Sequence, residues 1–217
     1  MARTKLKRIV SVKELKNVFS IHNPDLKNSL LEYFHSPKQL TLEIGCGSGD
    51  YSVEMAQRLP ERNFVGIDVK AARIFHGALK SVNLNLDNVA FVLARAERLE
   101  EIFPEKSIEE IYIPFPDPHI KRSKHTRRLI SHGFLEIYHK LLIKGGNVHF
   151  KTDNSDLYEY ALKTITNFGC KIVFNTSNLY KDTNVEFTQN IKTSFESHYI
   201  KQGRKISYIC FKFLPYC

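Results

Sequence analysis

No run in this sequence approaches the roughly 18 uninterrupted apolar residues that a membrane-crossing helix needs. The first ten residues, MARTKLKRIV, are basic and lack the apolar core of about 7 to 15 residues found in a secretory signal. A cytoplasmic protein with no membrane partner is the expectation. Cysteine is sparse as well: Cys46, Cys170, Cys210 and Cys217 show neither CxxC nor His-rich spacing. That points away from a zinc site or a disulfide framework, so free thiols and no metal are expected. Internal repeats, low-complexity blocks and Ser/Gly linkers are also missing, which leaves no evident internal boundary. The 217 residues suit one domain with a real core. They divide into a basic extension with a short helix over 1–36 and a single domain over 37–217.

What is present is ordinary in bulk and uneven in charge. A hydrophobic share of 42% and a charged share of 25% are those of a globular chain and exclude disorder or a collagen-like repeat. The formal charge of +9 asks for an anionic partner, nucleic acid or membrane surface. Its distribution favours the former, because Lys121, Arg122, Lys124, Arg127 and Arg128 crowd into one short stretch. The basic residues from Arg3 to Arg8 read as a solvated terminus rather than a second site for the partner.

Hydrophobic periodicity gives the order of elements. A helix is expected over Asp25–Phe34, a strand over Gln39–Ile44, a Gly-rich turn, and a helix from Asp50 to Arg58. A strand over Asn63–Ile67, a helix over Ala71–Val82 and a strand over Val89–Leu93 follow. Then come a short helix over Glu97–Ile102, a strand over Ile108–Ile113 and a helix over Leu129–Leu142. Gly145 and Gly146 read as a turn before a strand over Asn147–Lys151, and a helix over Asp156–Phe168 is capped by Asn154 or Ser155. After Cys170 the alternation gives way to a strand over Lys171–Asn175, a polar loop and a last strand over Lys205–Phe213, an antiparallel pair. The fold class is therefore α/β and Rossmann-like, a mostly parallel sheet with helices on both faces and an antiparallel pair at its C-terminal end. Ligands of such sheets bind beyond the carboxyl ends of the strands, where the sequence puts its glycine turn, Asp68, Asp117 and the segment Lys151–Asp153.

In EIGCGSG, Gly45, Gly47 and Gly49 permit a tight turn and close approach of backbone to a ligand at a helix N-terminus. A tight turn without a ligand is the competing reading. Asp68 at the end of the next strand adds a carboxylate able to accept two ribose hydroxyls. A dinucleotide fingerprint needs glycine where Asp50 stands. Glu43 adds a further carboxylate, suited to the ammonium of an amino-acid-bearing cofactor rather than to a diphosphate. S-adenosylmethionine fits both features better. An acid paired with a nearby Lys or Arg is the alternative for Glu43.

The stretch FPDPHIKRSKHTRRL, Phe115–Leu129, sets one carboxylate between two prolines. Pro116 and Pro118 fix their own φ and extend the residues before them, so Asp117 sits on a stiff, non-helical segment. The cations after it have the composition that holds phosphates. A loop of solvated charges is the plain alternative.

Together these motifs resemble the tRNA (guanine-N7-)-methyltransferase family, bacterial type, over about Pro37 to Phe213. EIGCGSG and VGIDVK look like its cofactor motifs, which many methyltransferases share. FPDPH with its basic tail looks like the family's FPDPW signature, HFKTDN like its TD segment, and TSFE at Thr193–Glu196 like its TxYE or TxFE segment. The resemblance implies transfer of a methyl group from S-adenosylmethionine to N7 of a guanine in the tRNA variable loop, by a monomer or homodimer. It implies cofactor binding by Glu43, Gly45, Gly47, Gly49 and Asp68, with Asp117 at the catalytic centre touching the cofactor too. Lys121, Asp153, Thr193, Ser194, Phe195 and Glu196 would contact the substrate, while Arg122, Lys124, Arg127 and Arg128 would hold the RNA backbone. Asp153 and Glu196 are the expected acceptors for the guanine N1 and N2 hydrogens. His119 replaces the family's usual Trp, Pro114 differs from the usual residue before FPDP, and Arg95 stands where an acid often serves the adenine. An arginine cannot accept that hydrogen bond, so it is missing, moved to Glu97 or made by backbone. A non-catalytic RNA-binding protein on this fold, or a methyltransferase for a small molecule, are the rival readings.

Overall fold

The computed structural model describes residues 8, 10–35, 38–182 and 191–214, without the side chains of residues 13, 194 and 195. The chain forms two compact units, divided after Pro104. The expected boundary at residues 36 and 37, the residues 3–7 of the basic terminus and Cys217 lie outside the described residues.

The N-terminal unit carries strands β1 (Val18–Ser20), β2 (Leu40–Ile44), β3 (Asn63–Asp68) and β4 (Val89–Leu93), and helices α1 (Leu26–Phe34), α2 (Asp50–Arg58), α3 (Ala71–Asn83) and α4 (Leu99–Ile102). Its strands run in the order β1-β4-β3-β2, each parallel to its neighbour. All six residues of β3 are buried, as expected of a parallel strand covered on both faces, whose sequence runs apolar without alternating. Leu42, Val65, Ile67 and Phe91 on the strands and Val53, Met55 and Ile74 on the helices are all buried in this core. Truncating one such Leu or Ile to Ala typically costs about 2–5 kcal/mol. The short strand β1 escapes the sequence pattern, since three half-buried residues show no periodicity.

The C-terminal unit carries β5 (Ile108–Pro114), β6 (Leu142–Thr152), β7 (Lys171–Thr176) and β8 (Ser207–Lys212), with α5 (His132–Leu141), α6 (Ser155–Asn167) and α7 (Ser194–Lys201). β5 and β6 are parallel, while β8 runs antiparallel to both β6 and β7. The expected closing antiparallel pair is therefore present. Asn154 caps α6 as expected, its Oδ1 accepting the Leu157 N–H at 2.8 Å.

Three local expectations are corrected. Gly145 and Gly146 lie inside β6, not in a turn before it: Ile108 pairs with Leu142 and Glu110 with Asn147, so a bulge absorbs the extra residues. The polar loop before β8 contains α7, and the segment before α5 is a 3₁₀ turn, Arg122–Arg127, which delays the helix start to His132.

Candidate active site

In the N-terminal unit the glycine turn folds back onto β3, because the N–H groups of Gly45 and Cys46 both donate to the Ile67 carbonyl, at 2.8 and 2.9 Å. Gly47 and Gly49 serve different ends. A Cβ on Gly49 would lie 2.5 Å from the Phe91 ring, and one on Gly77 of α3 would lie 2.5 Å from the Ser48 carbonyl oxygen. The underside of the turn is thus packed against β4 and α3. A Cβ on Gly47 would meet nothing nearer than 4.0 Å, leaving its open face to a ligand.

Asp68 braces this turn. Its Oδ2 accepts the Gly47 N–H at 3.0 Å and its Oδ1 the Lys70 N–H at 2.8 Å. An ionised carboxylate offers about four acceptor sites, so about two remain for ligand hydroxyls. Glu43 is 4% exposed. Its Oε2 accepts the Ser52 N–H at 2.9 Å and also bonds the Ser52 hydroxyl. Burial pushes its pKa up to about 8, against the pull of the Ser52 bonds and helped by Asp50 and Asp68. No Lys or Arg among the described residues pairs with Glu43, so the alternative of a structural ion pair is not found. A buried acid wanting a cation, a carboxylate with spare acceptor sites and an open glycine face fit an S-adenosylmethionine-type ligand. Arg95 instead pairs with Glu97 at 2.9 Å, and both are exposed.

In the C-terminal unit the segment after β5 is anchored at its start and turned at its end. The Phe115 N–H donates to the Lys151 carbonyl at 2.9 Å. Phe115 (φ 52°) and His119 (φ 41°) both adopt the left-handed backbone region, which costs non-glycine residues about 1–2 kcal/mol each. Strain of this kind persists where the surrounding structure imposes it. Between them the Asp117 side chain is 72% exposed. Its Oδ1 accepts the His119 N–H at 2.9 Å and lies 3.5 Å from His119 Nδ1. The carboxylate is oriented by its own turn and open to solvent.

The cations that follow separate by burial. Lys121, Arg122, Lys124 and Arg127 are exposed and pair with no acid among the described residues. Arg128, also expected at the RNA backbone, is 5% exposed. Its guanidinium lies 4.3 Å over the Tyr160 ring and donates through Nε to the Pro118 carbonyl at 2.8 Å and through Nη2 to the His119 carbonyl at 3.5 Å. Arg128 clamps the Asp117 loop rather than facing a phosphate.

Glu196 is fully buried. Its Oε1 accepts the Tyr180 hydroxyl at 2.6 Å, and Lys151 Nζ lies 3.2 and 3.4 Å from its two carboxylate oxygens. The carboxylate is thus enclosed, so that Asp153 is the more open of the two expected acceptors for guanine. Thr193 caps α7 by accepting the Glu196 N–H at 3.1 Å, so TSFE carries the Thr-x-x-Glu spacing of a capping box. Asp153, with a side chain 18% exposed, pairs with Arg204 at 2.6 Å, and Arg204 lies 4.7 Å over the Tyr199 ring. The side chains of Ser194 and Phe195 lie outside the described residues. Sequence reasoning places Lys151 at the ligand edge only as part of the segment Lys151–Asp153, and does not single out the partners Tyr180, Arg204 and Ser52.

The family model and the curated relatives bear on the family, and the solved structures on the fold. The family model described as "Putative methyltransferase" matches residues 37–209. A tRNA (guanine-N(7)-)-methyltransferase of Cytophaga hutchinsonii is 37% identical over 99% of this chain and 100% of its own length. Another, of Christiangramia forsetii, is 34% identical over 97% of this chain and 98% of its own. Among solved structures, the 16S rRNA methyltransferase KamB superposes with a TM-score of 0.66 at 14% identity, over 87% of this chain and 94% of that one, a likeness of fold. With relatives aligned end to end at this identity, the chain belongs to the tRNA (guanine-N7-)-methyltransferase family.

Proposed function

We propose that this protein transfers a methyl group from S-adenosylmethionine to N7 of a guanine in the variable loop of tRNA. The observation that carries the reading is the end-to-end likeness to proteins named for that reaction. The open glycine face, Asp68 and Glu43 support the cofactor, and four surface cations with no acid beside them support an RNA partner. Neither rival reading, a small-molecule methyltransferase or a non-catalytic binder, is favoured. No helix among the described residues is long and apolar enough to cross a membrane, in keeping with a cytoplasmic enzyme, monomeric or homodimeric.

S-adenosylmethionine, when bound, supplies an electrophilic methyl group on a sulfonium. Guanine N7 carries a lone pair and no proton, so the chain needs to provide no base for it. Its task is to position the base and to meet the positive charge that grows on the purine ring. Asp117 does the second: Oδ1 is held by the His119 N–H, and Oδ2 is free to face the ring as charge develops. Lys121 and its exposed neighbours hold the RNA by charge and carry little sequence information. Asp153 is the remaining acceptor for the guanine N1 and N2 hydrogens, exchanging its bond to Arg204 for them. Glu43, Gly45, Gly47, Gly49 and Asp68 hold the cofactor.

Unmodified tRNA incubated with the protein and S-adenosylmethionine, then digested and analysed by nucleoside mass spectrometry, tests the reading. The expected product is 7-methylguanosine. Its absence while the cofactor still binds would favour the non-catalytic reading.

A further inference from the structure

Lys151, next to the last residue of β6, lies in one of the segments by which the family is recognised and touches two others. Its carbonyl accepts the Phe115 N–H at 2.9 Å, which fixes the start of the Asp117 loop. Its ammonium donates to the Ile191 carbonyl at 3.1 Å and to Glu196 at 3.2 Å, which fixes the approach to α7 and its first turn. Two residues further along its own strand end stands Asp153. Both charged side chains are enclosed, Lys151 at 4% and Glu196 at 0% exposure, and Tyr180 donates to the same carboxylate at 2.6 Å.

A buried pair of this kind is a poor source of net stability. The cost of removing two charges from water roughly cancels their attraction, and apolar residues of the same volume often do as well. What apolar packing lacks is direction. An ammonium with three donors that meets a carbonyl and a carboxylate sets distances and angles between the segments that carry them. We propose that Lys151 is a positioning residue for methyl transfer: its ammonium aligns the N-terminus of α7 with the strand end whose backbone carries Asp153 and anchors the Asp117 loop, without touching substrate itself. The proposal rests on the reading of the protein as a tRNA methyltransferase. It gives the TSFE segment a structural task in place of direct substrate binding through Glu196.

Three variants test it: Lys151→Arg, Lys151→Met, and Lys151→Met combined with Glu196→Gln. Each is measured for thermal unfolding, for S-adenosylmethionine affinity by calorimetry, and for kcat and KM with tRNA. Lys151→Met leaves a buried carboxylate without its cation, so its unfolding temperature falls. The double variant removes that penalty and recovers the temperature. Because misplacement of reacting groups by about 1 Å can cost about 100-fold in rate, kcat is expected to fall by up to that factor in both. KM for tRNA and cofactor affinity stay near those of the parent, and Lys151→Arg keeps much of the turnover. A double variant with parental kcat would overturn the proposal, as would loss of unfolding temperature in Lys151→Met with kcat unchanged. If the parent protein itself makes no 7-methylguanosine, the functional reading fails rather than the positioning role.

Discussion

At the scale of single residues, the physical surroundings divide side chains that the sequence treats alike. Glu43 and Asp68 are both acids at the carboxyl ends of neighbouring strands, yet Asp68 accepts two backbone N–H groups of its turn, while the pKa of Glu43 is raised from 4.5 to about 8, chiefly by burial. The unfolded chain loses this proton near the ordinary value and the folded chain holds it far longer. Between about pH 4.5 and 8 the folded state therefore binds more protons, and stability falls as pH rises through that window. Urea unfolding between pH 5 and pH 8.5 should show the parent losing stability relative to Glu43→Gln as pH rises. A difference between the two that is constant with pH would contradict it. A cofactor ammonium placed near this carboxyl would expel the proton, so S-adenosylmethionine binding at neutral pH should release protons in the parent and not in the variant. Calorimetry in two buffers of different ionisation enthalpy reads that release. The acid itself is legible in EIGCGSG; its partner Ser52 is not, because the two meet only once α2 has folded back over β2. Arg128 makes the same point. Five cations look equivalent in FPDPHIKRSKHTRRL, and only the stack on Tyr160, contributed by a later helix, turns the last of them inward.

Among elements, the strand, turn and helix around the glycine motif are readable because the apolar runs and glycines are local signals. The purposes of the individual glycines are not. Gly49 and Gly77 are required by packing across the turn, whereas Gly47 faces open space. Gly77→Ala sets a methyl 2.5 Å from the Ser48 carbonyl oxygen, an overpacking that typically costs about 1–3 kcal/mol. It should lower the unfolding temperature, and loosen cofactor binding only as a consequence. Gly47→Ala meets no neighbour, though its φ of +55° carries a backbone cost of about 1–2 kcal/mol. It should unfold a few degrees below the parent from that backbone cost, while losing S-adenosylmethionine affinity directly, because the added methyl occupies the face left to the ligand. Equal cofactor affinity in Gly47→Ala and the parent would remove that face from the binding site. Helix α7 shows the opposite case, an element that periodicity could not find. Its eight residues are mostly polar, and it is fixed by the Thr193 cap, by the buried Glu196 and by Tyr199 and Ile200 packing on the cluster of Leu179, Ile206, Tyr208 and Cys210. The Thr-x-x-Glu spacing at its start is the available signal, and it is masked because the same four residues also read as a substrate-binding segment.

For the molecule as a whole, the alternation of strands and helices is enough for the fold class, since a parallel sheet buries both faces and writes that into continuous apolar strands. Net charge leaves nucleic acid and membrane surface both open, the clustering of the cations favours nucleic acid, and neither defines the proposed footprint. The footprint follows from burial: of the five cations after Asp117, four are exposed and one is spent on the loop. Replacing Lys121, Arg122, Lys124 and Arg127 with Ala should weaken tRNA binding and flatten its salt dependence. Removing one cation from a phosphate lowers the slope of log K against log salt by about 0.7 to 0.9, so the full set should lower it by up to about 3. Replacing Arg128 alone should leave that slope as it is, because its guanidinium bonds the carbonyls of Pro118 and His119 and not the solvent-facing backbone of an RNA. Its absence should appear in turnover, through a less fixed Asp117. Binding titrations at several salt concentrations, read beside single-turnover rates, separate the two effects. An unchanged slope in the fourfold variant would mean that the stretch does not hold phosphates, and a reduced slope in Arg128→Ala would mean that its cation reaches them after all.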